Sequence, residues 1–280
     1  MSNRWRKAVQ QMKFRYISDC HMHSKNSPDA QDSVVLMCEN AARMGLYAVA
    51  VTDHCECNVY RQEEYDKAIR TSYLQTRNAD NIYRDLHVLA GVELGQPAQA
   101  PEDAEELLSS MEFDFVIGSV HNVPNREDFY YLRYTEENAA QILDEYFDEL
   151  MATIRWGNFD TLAHITYPWR YIERRDGIII PMERYRDRFD QVFRMLIQKE
   201  KALEINTSDL RNGGSEAAPG FELLKRYREL GGKLVTIGSD AHRWMDVGAG
   251  IEMGLEMLSR AGFRYFTVYA DRKPQFLPIE

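Results

Sequence analysis

The chemistry-bearing residues of this chain are imidazoles and carboxylates set close together. Asp19-Cys20-His21-Met22-His23 places two imidazoles at i and i+2, on the same side of an extended segment. Asp53-His54 and Asp240-Ala241-His242 each join a carboxylate to an imidazole, while Glu93, His121 and His164 stand singly. Such N and O donors suit Zn, Fe, Mn or Co, and a carboxylate can bridge two ions. A carboxylate beside a histidine is either a further ligand or the acceptor that fixes the imidazole tautomer. A structural zinc site would instead use four ligands in close, typically Cys-rich pairs. Here at least eight N and O donors come from six or seven separate segments, which calls for a cluster with positions open to water. The lone C-x-C, Cys55-Glu56-Cys57, is read as reduced thiols rather than a ligand pair.

The elements that must position these donors are short apolar, β-branched runs: Tyr16–Cys20, Ala48–Thr52, Val88–Leu94, Phe113–Val120, Thr161–Ala163, Ala202–Ile205 and Leu234–Ile237. Six of the seven histidines stand at the ends of such runs, and Val88–Leu94 carries Glu93. Between them lie segments of helical period at Val34–Met44, Asp103–Ser110, Thr135–Arg155, Met182–Lys199 and Gly220–Glu229. Ser33 and Gly45 punctuate the first of these, and Gly231-Gly232 ends the last. Alternating β and α segments imply parallel strands with helical crossovers, hence an α/β fold. Even spacing from Tyr16 to Ile237, without a linker or composition break, favours one barrel domain over residues 1–280. A parallel barrel gathers its strand C-termini on one face, where active sites are built. His87 is the exception: six residues before Glu93, it belongs at the other end of its strand, roughly 20 Å away at about 3.3 Å per residue. A helix is expected near Gly250–Arg260, and the apolar run Arg264–Tyr269 is either an eighth strand or an edge element.

Composition bounds the partners. With 34 Lys+Arg against 44 Asp+Glu, the formal charge is −10, which disfavours nucleic acid and anionic membrane surfaces. No run reaches the roughly 18 apolar residues a membrane helix needs. The start, MSNRWRKAVQQMKFRY, lacks the apolar core of a secretion signal, so a cytoplasmic setting with reduced cysteines is expected. The same negative charge would argue against an anionic substrate, except that divalent ions held by these donors would add positive charge where they bind. The site itself would then attract anions.

The ordered set Asp19-x-His21-x-His23, Thr52-Asp53-His54, Glu93, His121, His164 and Asp240-x-His242 resembles the PHP (polymerase and histidinol phosphatase) superfamily over residues 16–242. Chain length and the segments Gly118-Ser119-Val120-His121, Leu203-Glu204-Ile205-Asn206-Thr207-Ser208 and Gly238-Ser239-Asp240-Ala241-His242 are most similar to its histidinol-phosphate phosphatase branch. The resemblance implies a distorted, TIM-like (β/α)7 barrel with two or three divalent ions (Zn, Fe or Mn) at the C-terminal face. His21, His23, Glu93 and Asp240 would hold the first ion. Glu93 would bridge to a second, with His121 and His164, and His54, His242 and Asp29 would hold a third. Some members have a histidine where this chain has Asp29, an oxygen donor that leans toward Fe or Mn.

The implied activity is hydrolysis of a phosphate monoester, L-histidinol phosphate first, by water activated between ions that also bind the phosphate oxygens. Asp19, Asp53 or a metal-held water are the candidates to protonate the leaving group. Arg170 and Arg211 resemble phosphate-contacting arginines, with Ser208 and Asn206 adding neutral hydrogen bonds. Glu204 is either an orienting carboxylate or a partner for an amino group, and Tyr167, Trp169 and Tyr171 are candidate walls. Phosphotyrosine on a protein, a nucleotide or a nucleic-acid end are alternative substrates, and a non-catalytic metal-binding domain is the alternative from another class.

Overall fold

The computed structural model of the chain describes residues 13–280. Most of the sequence beginning Met1–Met12, on which the reading of the start rests, lies outside them. β1 (Ser18–Met22) leads through α1 (Val34–Met44) to β2 (Ala48–Val51) and its continuation β3 (His54–Glu56). Ser33 caps α1 by accepting from Leu36 N at 3.3 Å, and Gly45 ends it at φ 77°, a left-handed conformation that glycine adopts without steric cost. α2 (Tyr65–Ile82) was not expected from the sequence. Its buried positions are Tyr65, Ile69, Ser72, Thr76 and Ala79, a stripe of correct helical spacing made largely of polar or small residues, so its hydrophobic period is faint.

β4 (His87–Gly95), α3 (Pro101–Ser110), β5 (Phe115–Ser119), α4 (Ala139–Trp156) and β6 (Thr161–Leu162) follow. The chain then forms the one-turn α5 (Tyr167–Trp169), a π-helical turn at Arg170–Arg175, α6 (Arg186–Gln198), β7 (Ala202–Asn206), the single turn α7 (Ser208–Arg211), α8 (Phe221–Glu229), β8 (Val235–Gly238) and α9 (Ile251–Arg260). The parallel sheet runs β1-β2-β4-β5-β6-β7-β8, with β3 pairing β4 beyond the break in β2. The seven expected runs are thus the seven barrel strands. Closure between β1 and β8 is irregular: Asp240 N donates to His21 O at 2.7 Å and His23 N to Ala241 O at 2.8 Å, beside a single bridge from Met22 to Ala241. The barrel is therefore nearly closed and distorted at this seam. β9 (Tyr265–Ala270) pairs antiparallel with β10 (Lys273–Pro278) in a separate hairpin, so the last apolar run is an edge element and not an eighth barrel strand. Among the described residues no helix is long and apolar enough to cross a membrane.

Candidate metal centre

Strand ends deliver the donors to one place. His21 on β1 and His23 just beyond it turn their Nε2 atoms to within 3.0 Å of each other. Glu93, buried near the end of β4, stands between two sets of imidazoles. Its Oε1 lies 3.0 Å from His164 Nε2 and 3.2 Å from His121 Nε2. Its Oε2 lies 2.9 Å from His54 Nδ1, 3.3 Å from His21 Nε2 and 3.5 Å from His23 Nε2. Asp240 Oδ1 closes on His23 Nε2 at 3.4 Å and His21 Nε2 at 3.8 Å. Asp29 Oδ2 reaches His242 Nε2 at 3.0 Å and His54 Nε2 at 3.6 Å. Three compact groups of donors recur in this arrangement: His21, His23 and Asp240; His54, Glu93 and His121; and His23, His54 and His242. His87 stands apart at the start of β4, exposed, its ring 4.7 Å from that of Tyr47.

Buried carboxylates and backbone hold the imidazoles from behind. Glu204 Oε1 meets His21 Nδ1 at 2.5 Å, Glu56 Oε1 meets His121 Nδ1 at 2.8 Å, Ser27 Oγ meets His23 Nδ1 at 3.2 Å, and the Asp240 carbonyl meets His242 Nδ1 at 3.1 Å. Such contacts fix the ring orientation and tautomer that a metal ligand needs. His164 and Asp240 both sit at positive φ, 22° and 54°. That backbone conformation costs about 1–3 kcal/mol and persists where neighbours over-determine it. Here Glu204 Oε2 accepts from His164 N at 2.9 Å, and Asp240 N is tied to β1.

The charges are mutually dependent. Burial alone would push the carboxyl of Glu93 up, but His21, His54 and His121 hold it well below its ordinary range. Asp240 is likewise held down against burial by His21, His23 and His242. Burial would lower His54, yet Glu93 and Asp29 raise it to about 10. His21 and His121 are raised too, against burial, by their glutamates, whereas burial and neighbouring imidazoles hold His23 low. Without an ion, protons on imidazoles balance the carboxylates.

The donor set fits divalent metal ions. Glu93 Oε2 and His54 Nδ1 are buried 2.9 Å apart without hydrogen-bond geometry, and His164 Nδ1 is buried with no hydrogen-bond partner among the described residues; a cation held at Glu93 and His54 would satisfy both of those atoms.

Other residues singled out in the sequence lie elsewhere. Asp19 is fully buried and accepts from Ser239 N at 2.7 Å, Ser239 Oγ at 2.5 Å and Gly248 N at 2.8 Å, strapping β1 to the loop after β8. Asp53 accepts from Ser24 N, Ser24 Oγ, Ser27 Oγ and Ser72 Oγ at 2.5–2.7 Å. With these oxygens already occupied, neither aspartate faces the cavity as a proton donor. Asn206 is buried, donating to Glu204 Oε2 at 3.3 Å and Asp240 Oδ2 at 3.2 Å. Ser208 Oγ donates to Asn206 Oδ1 at 2.5 Å and accepts from Arg170 Nη2 at 2.8 Å. Arg211 spends its guanidinium on the Ser239 and Asp240 carbonyls. All three side chains hydrogen-bond to other groups of the protein. Arg170 does line the cavity, held by Asp209 Oδ1 at 2.7 Å through Nε and by Ser208 Oγ at 2.8 Å through Nη2. Trp169 is buried and donates to Ile180 O at 2.9 Å, so of the three aromatic candidates Tyr167 and Tyr171 wall the cavity.

The family model described as PHP domain matches residues 19–208. The chain belongs to the PHP domain family. Around this PHP domain the relatives agree in kind. A Clostridium acetobutylicum protein named probable histidinol-phosphatase is 29% identical over 249 residues, 89% of this chain and 95% of its own. The histidinol-phosphatase of Lactococcus lactis is 26% identical over 261 residues, 91% of this chain and 95% of its own. The crystal structure of histidinol phosphate phosphatase from Lactococcus lactis, complexed with zinc, L-histidinol and phosphate, superimposes with a TM-score of 0.70 at 25% identity, covering 92% of this chain and 98% of that one. The chain lies in the histidinol-phosphatase branch of the family.

The sequence left several residues of this PHP domain unremarked. Glu56, between two cysteines that are fully buried in the core, reaches the site where the thiols do not. Gly95 makes room for it, since a Cβ there would fall 2.1 Å from Glu56 Oε2. Asp128, Tyr130 and Tyr131, on the loop between β5 and α4, line the cavity above the donors. No pattern marks them, because a loop has no period to read.

Proposed function

We propose that this PHP domain is a metal-dependent phosphatase that hydrolyses L-histidinol phosphate to L-histidinol and phosphate, with two or three divalent ions, zinc, iron or manganese, in the cluster. The observation that carries the reading is the division of Glu93: one oxygen serves His121 and His164, the other His21, His23 and His54. A carboxylate shared in that way organises more than one ion. His21, His23, Glu93 and Asp240 would hold the first, Glu93, His121 and His164 the second, and Asp29, His54 and His242 the third. Bound there, divalent ions polarise phosphate oxygens and activate water for attack at neutral pH.

The rest falls to the chain's own side chains. Arg170, fixed by Asp209 and Ser208, brings its guanidinium to the wall of the cavity that the donors line, where it would meet the phosphate. Glu204 and Glu56 keep His21 and His121 aimed inward. The cavity, about 450 Å³, is of small-molecule size. Four unpaired buried cysteines accord with a reducing, cytoplasmic setting. The test is a substrate panel with metal-loaded protein: phosphate release from L-histidinol phosphate should exceed that from phosphotyrosine peptides and AMP by at least tenfold in kcat/KM. A nucleotide as best substrate would overturn the assignment within the family, and a protein loaded with metal yet inert on every ester would favour a binding domain.

A further inference from the structure

Of the two imidazoles that face Oε1 of Glu93, one has its ring held from behind and the other does not. His121 Nδ1 meets Glu56 Oε1 at 2.8 Å, whereas His164 Nδ1 is buried with no hydrogen-bond partner among the described residues. The tie to His121 continues one residue further, to Gln96, a fully buried side chain just after the end of β4. Gln96 Nε2 donates to Glu56 Oε2 at 2.7 Å, and Gln96 Oε1 accepts from His121 N at 2.7 Å. One amide therefore grips the same ligand twice, at its backbone and, through Glu56, at its ring.

An amide suits this pair of contacts because its two ends differ. A backbone N–H needs an acceptor and an ionised carboxylate needs a donor, so the amide oxygen faces His121 and the nitrogen faces Glu56. With Glu56 accepting from Nδ1 of His121, the lone pair of that ring is confined to Nε2, the atom that lies 3.2 Å from Glu93 Oε1. The backbone at Gln96 is a second, independent sign. It sits at φ 49°, a left-handed conformation that glycine enters freely and that is strained for a residue with a side chain. Its neighbours hold it there: Gln96 N donates to Ser119 O at 2.9 Å, and Gln99 N donates to Gln96 O at 3.0 Å. Strain of this kind marks a position whose side chain has a task that glycine could not perform.

We propose that Gln96 is the positioning residue for one ion of the cluster, the ion that Glu93, His121 and His164 would share. It fixes both the direction of His121 and the nitrogen that His121 offers, and so governs the affinity for that ion ahead of the others. His164 has no comparable tether on its ring, so the ion depends on His121 for its one oriented imidazole. The inference rests on the metal-dependent reading above and gives Gln96 no contact with substrate.

Two replacements separate the side chain from the backbone. Gln96→Met keeps the volume and removes both contacts, while Gln96→Gly removes the side chain at a φ that glycine prefers and so should leave the turn folded. Cobalt(II) is titrated into each metal-free protein with the visible absorption followed, and metal is counted after dialysis. Both variants should bind one ion about 10–100-fold more weakly than wild type and retain one ion fewer per chain, with the other ions within about twofold of their wild-type affinity. Combining Gln96→Met with Glu56→Gln should lose little beyond the weaker single variant, because both act through His121. Wild-type affinity for every ion in Gln96→Met or Gln96→Gly overturns the proposal. A loss spread evenly over all the ions, or losses that multiply in the double variant, overturns it too, since a merely structural role gives those results. If wild type holds its ions but hydrolyses no ester, the hydrolytic reading fails, and the cobalt titrations still decide the role of Gln96.

Discussion

Glu93 faces imidazoles from both of its oxygens, so replacing one oxygen by an amide tests the division directly. Glu93→Gln should bind fewer ions per chain than wild type, counted by metal analysis after dialysis. Glu204→Gln and Glu56→Gln leave the ligands themselves in place but replace the carboxylate behind His21 and His121. Each should lower metal affinity about 10–100-fold in chelator competition, with the circular dichroism spectrum retained. Protonation gives a second handle on the same residues. His54, raised to about 10 in the unloaded protein, must lose its proton to bind an ion. Apparent metal affinity should therefore rise with pH from neutral to about 10, and loading in weakly buffered solution should release protons. The sign for stability is the reverse. A folded value above the unfolded value of about 6.5 stabilises the unloaded protein fully below that pH, and the contribution is lost as pH rises through 10. Urea midpoints of unloaded protein should fall over that interval. At this scale the cluster was legible because strand-end histidines are rare and chemically loud. Glu56 was not, since its neighbours Cys55 and Cys57 drew the attention and its contact with His121 spans 65 positions in sequence.

The barrel strands and the helices with an apolar stripe were readable to within a few residues, and at both ends in Val34–Met44 between its Ser33 and Gly45 caps. α2 was not, because Ser72 and Thr76 occupy places where a reader looks for leucine. Loops were opaque for a different reason: their shape is set by contacts made at a distance. The segment after β5 is pinned to the π-helical turn by Arg175, which donates to the Tyr130 and Leu132 carbonyls, bonds Asp176 at 2.9 Å and lies 5.3 Å from the Tyr171 ring. Two loops that the sequence leaves as separate insertions are one wall in the structure. Arg175→Ala should release it. The expected signature is faster amide exchange across residues 122–134 and a higher KM, with exchange in β4 and β5 unaltered.

The whole molecule closes at its weakest seam. Gly238, at the end of β8, has no room for a side chain, since a Cβ would fall 2.2 Å from that of His21. Gly238→Ala should cost about 1–3 kcal/mol in urea unfolding and should lower metal content as well, because the displaced atom belongs to a proposed ligand. His87→Ala, at the opposite end of β4, should stay within about 0.5 kcal/mol and keep its metal. Architecture and strand count could be read from the chain because alternation of β and α segments leaves few topologies open. The seam could not, as it depends on side chains more than on paired strands: Asp19 reaches Ser239 across 220 positions. That separation has a consequence in time. Chains emerge N-terminus first and their contacts form in whatever order the residues become available. His21 and His23 are made early, yet Asp240 and His242 are among the last of the donors to appear, and the strap that holds the two ends together is formed later still than most of the barrel. A ribosome-bound chain that stops short of β8 would have every strand of the sheet except the one that completes the cluster. Acquisition of a full set of ions would thus report that synthesis has passed His242 and that the seam has closed.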